Sequence, residues 1–207
     1  KIRQRILAMS SLALPVSLEG VVESLMTAIE ARDMKLRRHS ERVASYCNQI
    51  AQQLGFDEKA REALTVGALL HDIGNIGIPD SILLKPTGLT AWEFDEMKLH
   101  TIIGEQICRP IGALETSLQF VRSHHEKLDG SGYPDELKGD EIPVAVRILS
   151  VTDVYDTLRC ERVYRDAFTH EQALDILIKE VEKGWWDKEI VEKLSHVVAP
   201  ASDFMPV

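Results

Sequence analysis

Ala68-Leu69-Leu70-His71-Asp72-Ile73-Gly74, running on to Ile78-Pro79-Asp80, decides how this chain is read. A histidine followed directly by an aspartate offers a ring nitrogen and a carboxylate oxygen to one small volume. That pairing suits a borderline metal ion, or two of them. Neighbours on a regular helix point about 100° apart, so the two converge most easily where a helix ends. Gly74 is expected to supply that ending by adopting the left-handed conformation past the last turn. Alone, the dipeptide reads more readily as a plain helix end, so the rest of the chain must decide.

Upstream, Asp57 caps a helix through Ala60, Leu64, Gly67 and Ala68 to His71. Before it, Val43, Cys47, Ile50 and Leu54 mark one stripe of a helix from Met34 to Leu54, ended by Gly55, and His39 extends that stripe backwards. Ser17 can cap a helix to about Ala31. Lys1 to Leu14 reads as an amphipathic helix broken at Pro15, a connector from an upstream sensor or receiver domain or an ordinary first helix. The expected organisation is therefore a linker over 1–16 and one domain over 17–207. Downstream, a short turn at Ser81–Leu84 precedes a helix from Thr90, where Phe94, Met97, Gly104 and Ile107 share a face with His100 before Pro110 closes it. A helix from about Leu114 to His125 runs into the glycine-rich Asp129–Pro134. After Pro143, Val146 and Leu149 set a stripe continued by Asp153 and Asp156. Helices near Glu171–Lys183 and Lys188–Val198 finish the pattern. No alternating strand pattern appears, so the fold class is all-α, a helical bundle with additional C-terminal helices.

The chain has 207 residues, 44% of them hydrophobic, enough to bury a sizeable core. A net charge of −9 excludes a protein that coats duplex nucleic acid. No apolar run reaches the length of a membrane span and no signal-peptide pattern is present. The odd, scattered cysteines Cys47, Cys108 and Cys160 read as buried small hydrophobes in a reducing cytoplasm.

His39, His71, Asp72, His100, His124, His125 and Asp153 lie on inward stripes or ends of five helices. Each has a bland reading: a satisfied core histidine at His39 or His100, a polar helix end at His124-His125, an arginine-held carboxylate at Asp153 with Arg147 as partner. Together the bland readings fail, because burying so many uncompensated ionisable groups would cost several kcal/mol for each one charged. A metal centre removes that cost. Seven donors exceed one tetrahedral ion, and mixed imidazole and carboxylate ligation favours iron, manganese, cobalt or zinc. Two divalent ions against two aspartates leave about +2, which a bridging hydroxide and an anionic phosphodiester would neutralise. Phosphodiester hydrolysis follows.

His39 with Arg42-Val43, and His71-Asp72-Ile73-Gly74 leading to Ile78-Pro79-Asp80, resemble the HD phosphohydrolase superfamily. Met97-Lys98-Leu99-His100, His124-His125-Glu126, Asp129-Gly130-Ser131-Gly132-Tyr133-Pro134 and Asp153-Val154-Tyr155-Asp156 narrow the likeness to the HD-GYP family. The resemblance spans roughly residues 20–198. It implies a helical domain, a two- or three-metal centre (often iron), a bacterial cytoplasmic setting in signal transduction, and hydrolysis of cyclic di-GMP to linear pGpG or on to GMP. It assigns the seven residues above as metal ligands, with Asp72 and Asp153 contacting or bridging the ions and holding the attacking hydroxide. It places Arg162 and Arg165 near the substrate phosphates and the Gly132-Tyr133-Pro134 loop beside the site, where it can also meet a protein partner. The first helix can pair with its copy in a homodimer.

Two departures from the family pattern stand out. Asn75 replaces the usual lysine after Ile-Gly, leaving a hydrogen-bond donor without the positive charge for substrate or nucleophile. Lys35 stands where trinuclear members carry a glutamate, which favours two ions over three. The alternatives to cyclic di-GMP hydrolysis are a weakened or inactive module that binds nucleotide or protein, and a hydrolase of another cyclic dinucleotide.

Overall fold

Side-chain caps fix where the helices begin. The computed structural model describes residues 17–32, 34–161 and 166–198. At the start of α1 (Leu18–Arg32) the Gly20 amide donates to Ser17 Oγ at 3.1 Å. Helix α2 (Met34–Gln53) ends at Gly55, left-handed with φ 76°. Asp57 accepts from the Ala60 amide to start α3 (Glu58–Leu70). A 3-10 turn (Ile73–Gly77) and the short α4 (Asp80–Leu83) lead to α5 (Ala91–Cys108), which opens with a reciprocal capping box between Thr90 and Glu93. Where one helix was expected from Leu114 to His125, a 3-10 turn (Gly112–Ser117) precedes α6 (Leu118–Ser123). Helices α7 (Val144–Arg159), α8 (His170–Glu182) and α9 (Lys188–Val197) complete the order. Among the described residues there is no strand, and the fold is all-α. The expected connector over 1–16, and its pairing with a copy, lie outside the described residues.

Two groups of buried side chains flank α3. Leu64 and Ala68 join Val43, Cys47 and Ile50 of α2, Phe120, Leu149 of α7, Leu177 and Leu194 in the larger group. Val66 and Leu70 join Met26 and Ile29 of α1, Ile73, Leu114 and Val121 in the other. The end of α3, which carries His71, is therefore held from both sides. Arg147 ties Asp140 at 3.0 Å and Asp187 at 3.2 Å near the C-terminal helices, so it is not the partner of Asp153. None of the three cysteines is in a disulfide; Cys47 and Cys108 are buried, while Cys160 is half-buried.

The left-handed ending expected at Gly74 is replaced by something tighter. His71 is still α-helical (φ −53°, ψ −36°), and the described residues place only Gly55, Gly130, Gly139 and Gly184 among glycines with positive φ. Gly74 lies instead against the backbone of α5. A β-carbon there would strike the His100 carbonyl oxygen and come within 2.6 Å of the Gly104 amide nitrogen. Gly104 answers it, since a β-carbon on that residue would lie 3.2 Å from the Gly74 nitrogen and 2.7 Å from Val121 Cγ1. This bare backbone contact sets how near His71 and Asp72 come to His100. Gly74→Ala is expected to lower stability by about 3 kcal/mol, the upper end of ordinary overpacking. Gly88→Ala, where a β-carbon meets nothing within 4 Å, is expected to be nearly neutral; urea unfolding of both variants checks this.

Candidate metal centre

The seven donor-type residues meet in one cavity. His39 Nε2 lies 3.1 Å from Asp153 Oδ1, and His71 Nε2 lies 3.8 Å from the same oxygen. His71 Nε2 is 3.6 Å from Asp72 Oδ2, and His100 Nε2 is 3.5 Å from Asp72 Oδ1. The rings of His124 and His125 are 4.1 Å apart, and His125 Nδ1 reaches to 4.0 Å from Asp153 Oδ2. Asp72 takes the bridge conformation (φ −97°, ψ 9°), which turns its carboxylate back towards His71 as the helix tightens.

The imidazoles are aimed by their own helices. Nδ1 of His71 donates to the Ala68 carbonyl at 2.8 Å, that of His100 to Met97 at 2.7 Å, and that of His124 to Val121 at 3.0 Å. Each bond fixes the proton on Nδ1 and leaves an Nε2 lone pair facing inward. His100 Nε2 and His124 Nε2 then stand 3.3 Å apart as two lone pairs, an unfavourable contact unless a cation lies between them. His71 Nε2 is buried without any hydrogen-bond partner. The donor set thus fits divalent ions. His100 with His124 and His125, His39 with His71 and Asp153, and His71 with Asp72 and His124 each bring their donor atoms within 4.8 Å of one another.

His39 is aimed differently, through a contact that sequence reading missed. Its Nδ1 donates to Asp156 Oδ2 at 2.7 Å, and Arg42 grips the same carboxylate with bonds of 2.7 and 2.8 Å. Asp156 was visible as the next member of the Asp153 stripe, and Arg42 as a neighbour of His39; only the packing of α2 on α7 joins them. Burial alone would favour neutral His39, yet the Asp153 and Asp156 carboxylates outweigh it and hold its pKa at about 10. Burial drives His124 well below its ordinary value and His125 to about 4, with neighbouring imidazoles acting in the same direction. Burial raises Asp72 and Asp153, but the surrounding imidazoles more than reverse this, so both stay ionised.

The Gly132-Tyr133-Pro134 loop lies beside these donors. A β-carbon on Gly132 would meet Glu126 Cα at 2.5 Å and the His125 carbonyl at 2.6 Å, so only glycine lets the loop double back here. The Tyr133 ring then lies 4.8 Å from the His125 ring, and its amide donates to the His125 carbonyl at 3.3 Å. Glu126, 1% exposed, accepts from the amides of Asp135 and Leu137 and so anchors the loop's far side. Arg122 adds bonds to Asp135 and to Glu105 of α5. Sequence reading assigned Glu126 and Arg122 no role; a buried acid after a histidine pair was the available signal. Asn75 is buried in the 3-10 turn, its amide donating to the Asp72 carbonyl at 3.0 Å. Lys35 is exposed. Arg162 and Arg165 lie outside the described residues.

A helical bundle that converges histidines and aspartates from five helices on one cavity defines an HD-type domain. The family model described as "HD domain" matches residues 23–190. Over 177 residues the chain is 40% identical to the probable cyclic di-GMP phosphodiesterase of Vibrio cholerae, covering 78% of this chain and 40% of that protein. Over 178 residues it is 36% identical to the 3'3'-cGAMP-specific phosphodiesterase 2 of the same organism, covering 85% of this chain and 34% of that protein. The chain thus spans less than half the length of these relatives. Among solved structures, Bd1817, an HDG"Y"P protein from Bdellovibrio bacteriovorus, shares the fold with a TM-score of 0.64 at 22% identity over 78% of this chain and 52% of that one. The chain belongs to the HD domain family, in its HD-GYP branch.

Two outcomes are expected of the centre itself. Because His39 holds a proton up to a pKa of about 10, a metal that takes its Nε2 must displace that proton at pH 7. Manganese uptake should therefore release about one proton, and apparent affinity should rise as pH rises towards 10; calorimetry in buffers of different ionisation enthalpy measures both. Asp156→Asn, which weakens the hold on His39, should lower metal affinity about 10- to 100-fold while the helical circular dichroism is retained.

Proposed function

We propose that this domain is a metal-dependent phosphodiesterase that opens a cyclic dinucleotide, cyclic di-GMP first, to linear pGpG. The observation that carries the reading is the inward convergence of three imidazole Nε2 lone pairs between two ionised aspartates. The relatives' names as cyclic dinucleotide phosphodiesterases support the substrate class. His39, His71 and Asp153 would hold one divalent ion and His100, His124 and His125 a second, with Asp72 between them. Iron is the first expectation, with manganese, cobalt or zinc as alternatives. Such ions supply Lewis-acid polarisation of a phosphoryl oxygen and an acidified water.

The protein's own part is to place and neutralise. Asp72 and Asp153 supply two negative charges, so two divalent ions leave a cationic floor for the phosphodiester. Neutral His124 and His125 keep their lone pairs available near pH 7. Arg42 and Asp156 keep the His39 ring from turning. Asn75, three residues after Asp72, would contribute a hydrogen bond to the substrate or the nucleophile in place of a charge. Arg162 and Arg165 would meet the phosphates from the segment after α7. The 3'3'-cGAMP-specific relative favours a mixed guanine–adenine ring as the second reading.

Iron- or manganese-loaded protein incubated with cyclic di-GMP and with 3'3'-cGAMP, products separated by chromatography, tests this. Turnover should vanish in His71→Ala and rise about tenfold or more in Asn75→Lys, since one electrostatic donor can carry 10²–10³ in rate. Tight binding with no turnover in any metal would instead identify a binding module.

A further inference from the structure

Beside the donor cluster runs an aromatic shelf that metal binding does not use. Phe94 stands six residues before His100 on α5, about 9 Å along the axis at 1.5 Å per residue. It was expected on the inward face with His100, yet it is 45% exposed. Its ring meets Tyr133 edge to face, with centroids 6.1 Å apart and planes at 84°. Tyr133 in turn lies 4.8 Å from His125 and 6.4 Å from His100. A line of rings therefore leads from solvent to the donor atoms.

Lys98 sits in the notch between the two outer rings. Its Nζ is 4.9 Å from the Phe94 centroid and 5.8 Å from that of Tyr133. Its carboxylate partner, Asp95 at 2.7 Å, is 68% exposed. An ion pair so open to water is weak and easily exchanged for a ligand. An exposed phenylalanine alone would be ordinary surface. An exposed phenylalanine backed by a tyrosine, flanked by an ammonium and opening onto a phosphodiester site has the make-up of a nucleobase platform.

We propose that Phe94, backed by Tyr133, stacks one purine of the substrate while Lys98 donates to that purine's acceptor edge. This rests on the phosphodiesterase reading above and names the base it selects. In a nucleotide the base hangs one sugar away from phosphorus, in keeping with the span from the donors to Phe94. Guanine presents two adjacent acceptors, O6 and N7, to a lysine, whereas adenine pairs its N7 with an amino donor. The shelf therefore favours a ring with at least one guanine over cyclic di-AMP.

The test uses the manganese-loaded chain and a phosphorothioate-linked cyclic dinucleotide carrying 2-aminopurine in place of one base. Binding to the wild type should quench the fluorophore through stacking. Phe94→Ala should lose most of the quench and weaken binding about tenfold, the scale of one base–aromatic stack, while Phe94→Trp should keep both. In competition against this probe, wild type should prefer cyclic di-GMP to cyclic di-AMP, and Lys98→Met should shrink that preference about tenfold. Wild-type quench and affinity in Phe94→Ala would overturn the shelf, and an unchanged preference in Lys98→Met would overturn the role of the lysine. Failure of the parent reading looks different: the wild type would neither bind nor hydrolyse any cyclic dinucleotide, and the shelf would fall with it.

Discussion

Three imidazole Nε2 atoms turned towards one another, that of His71 without a hydrogen-bond partner and those of His100 and His124 facing each other at 3.3 Å, are the constraint on which the remaining structure depends. The Nδ1 bonds of His71, His100 and His124 to carbonyls in their own helices give each ring one orientation and one tautomer. A neutral protein interior would not keep such an arrangement, since unpartnered buried polar atoms each cost on the order of 1–3 kcal/mol. The cavity is therefore built for cations. The helices that line it must be held against their own electrostatics until those cations arrive.

That holding comes from two kinds of contact. Backbone approaches without side chains, Gly74 on α5 and Gly132 on the His125–Lys127 segment, bring donors closer than any larger residue would permit. Charged groups that do not face the cavity then lock the donors in place. Asp156 and Arg42 act on His39, while Glu126 and Arg122 hold the loop that brings Tyr133 over His125. The same loop that protects one side of the cavity supplies half of the aromatic shelf beside it. Metal holding and base recognition would thus share one scaffold.

Helix starts and the donor residues were legible because they depend on local chemistry. Ser17, Asp57 and Thr90 cap helices by bonding amides three residues away, and the 3.6-residue period places His39 and Asp153 on apolar stripes wherever those helices later pack. The split of Leu114–His125 into a 3-10 turn and a short helix was not legible, since its apolar pattern suits either winding. Gly74 was misread for the same reason: a glycine after a helix has two uses, and only the position of α5 selects close approach over a left-handed turn.

By itself, then, the sequence determined that the chain is helical, that it carries five histidines and two aspartates at inward positions, and that its likeness is to the HD-GYP branch. Which donors share an oxygen, which carboxylate orients His39, why Glu126 is buried and where Phe94 ends up were decided only by tertiary structure. The physical reason is range. Caps and stripes act within one or two helical turns, whereas the His39–Asp156 bond joins residues 117 apart in sequence, and no local rule can see across that distance.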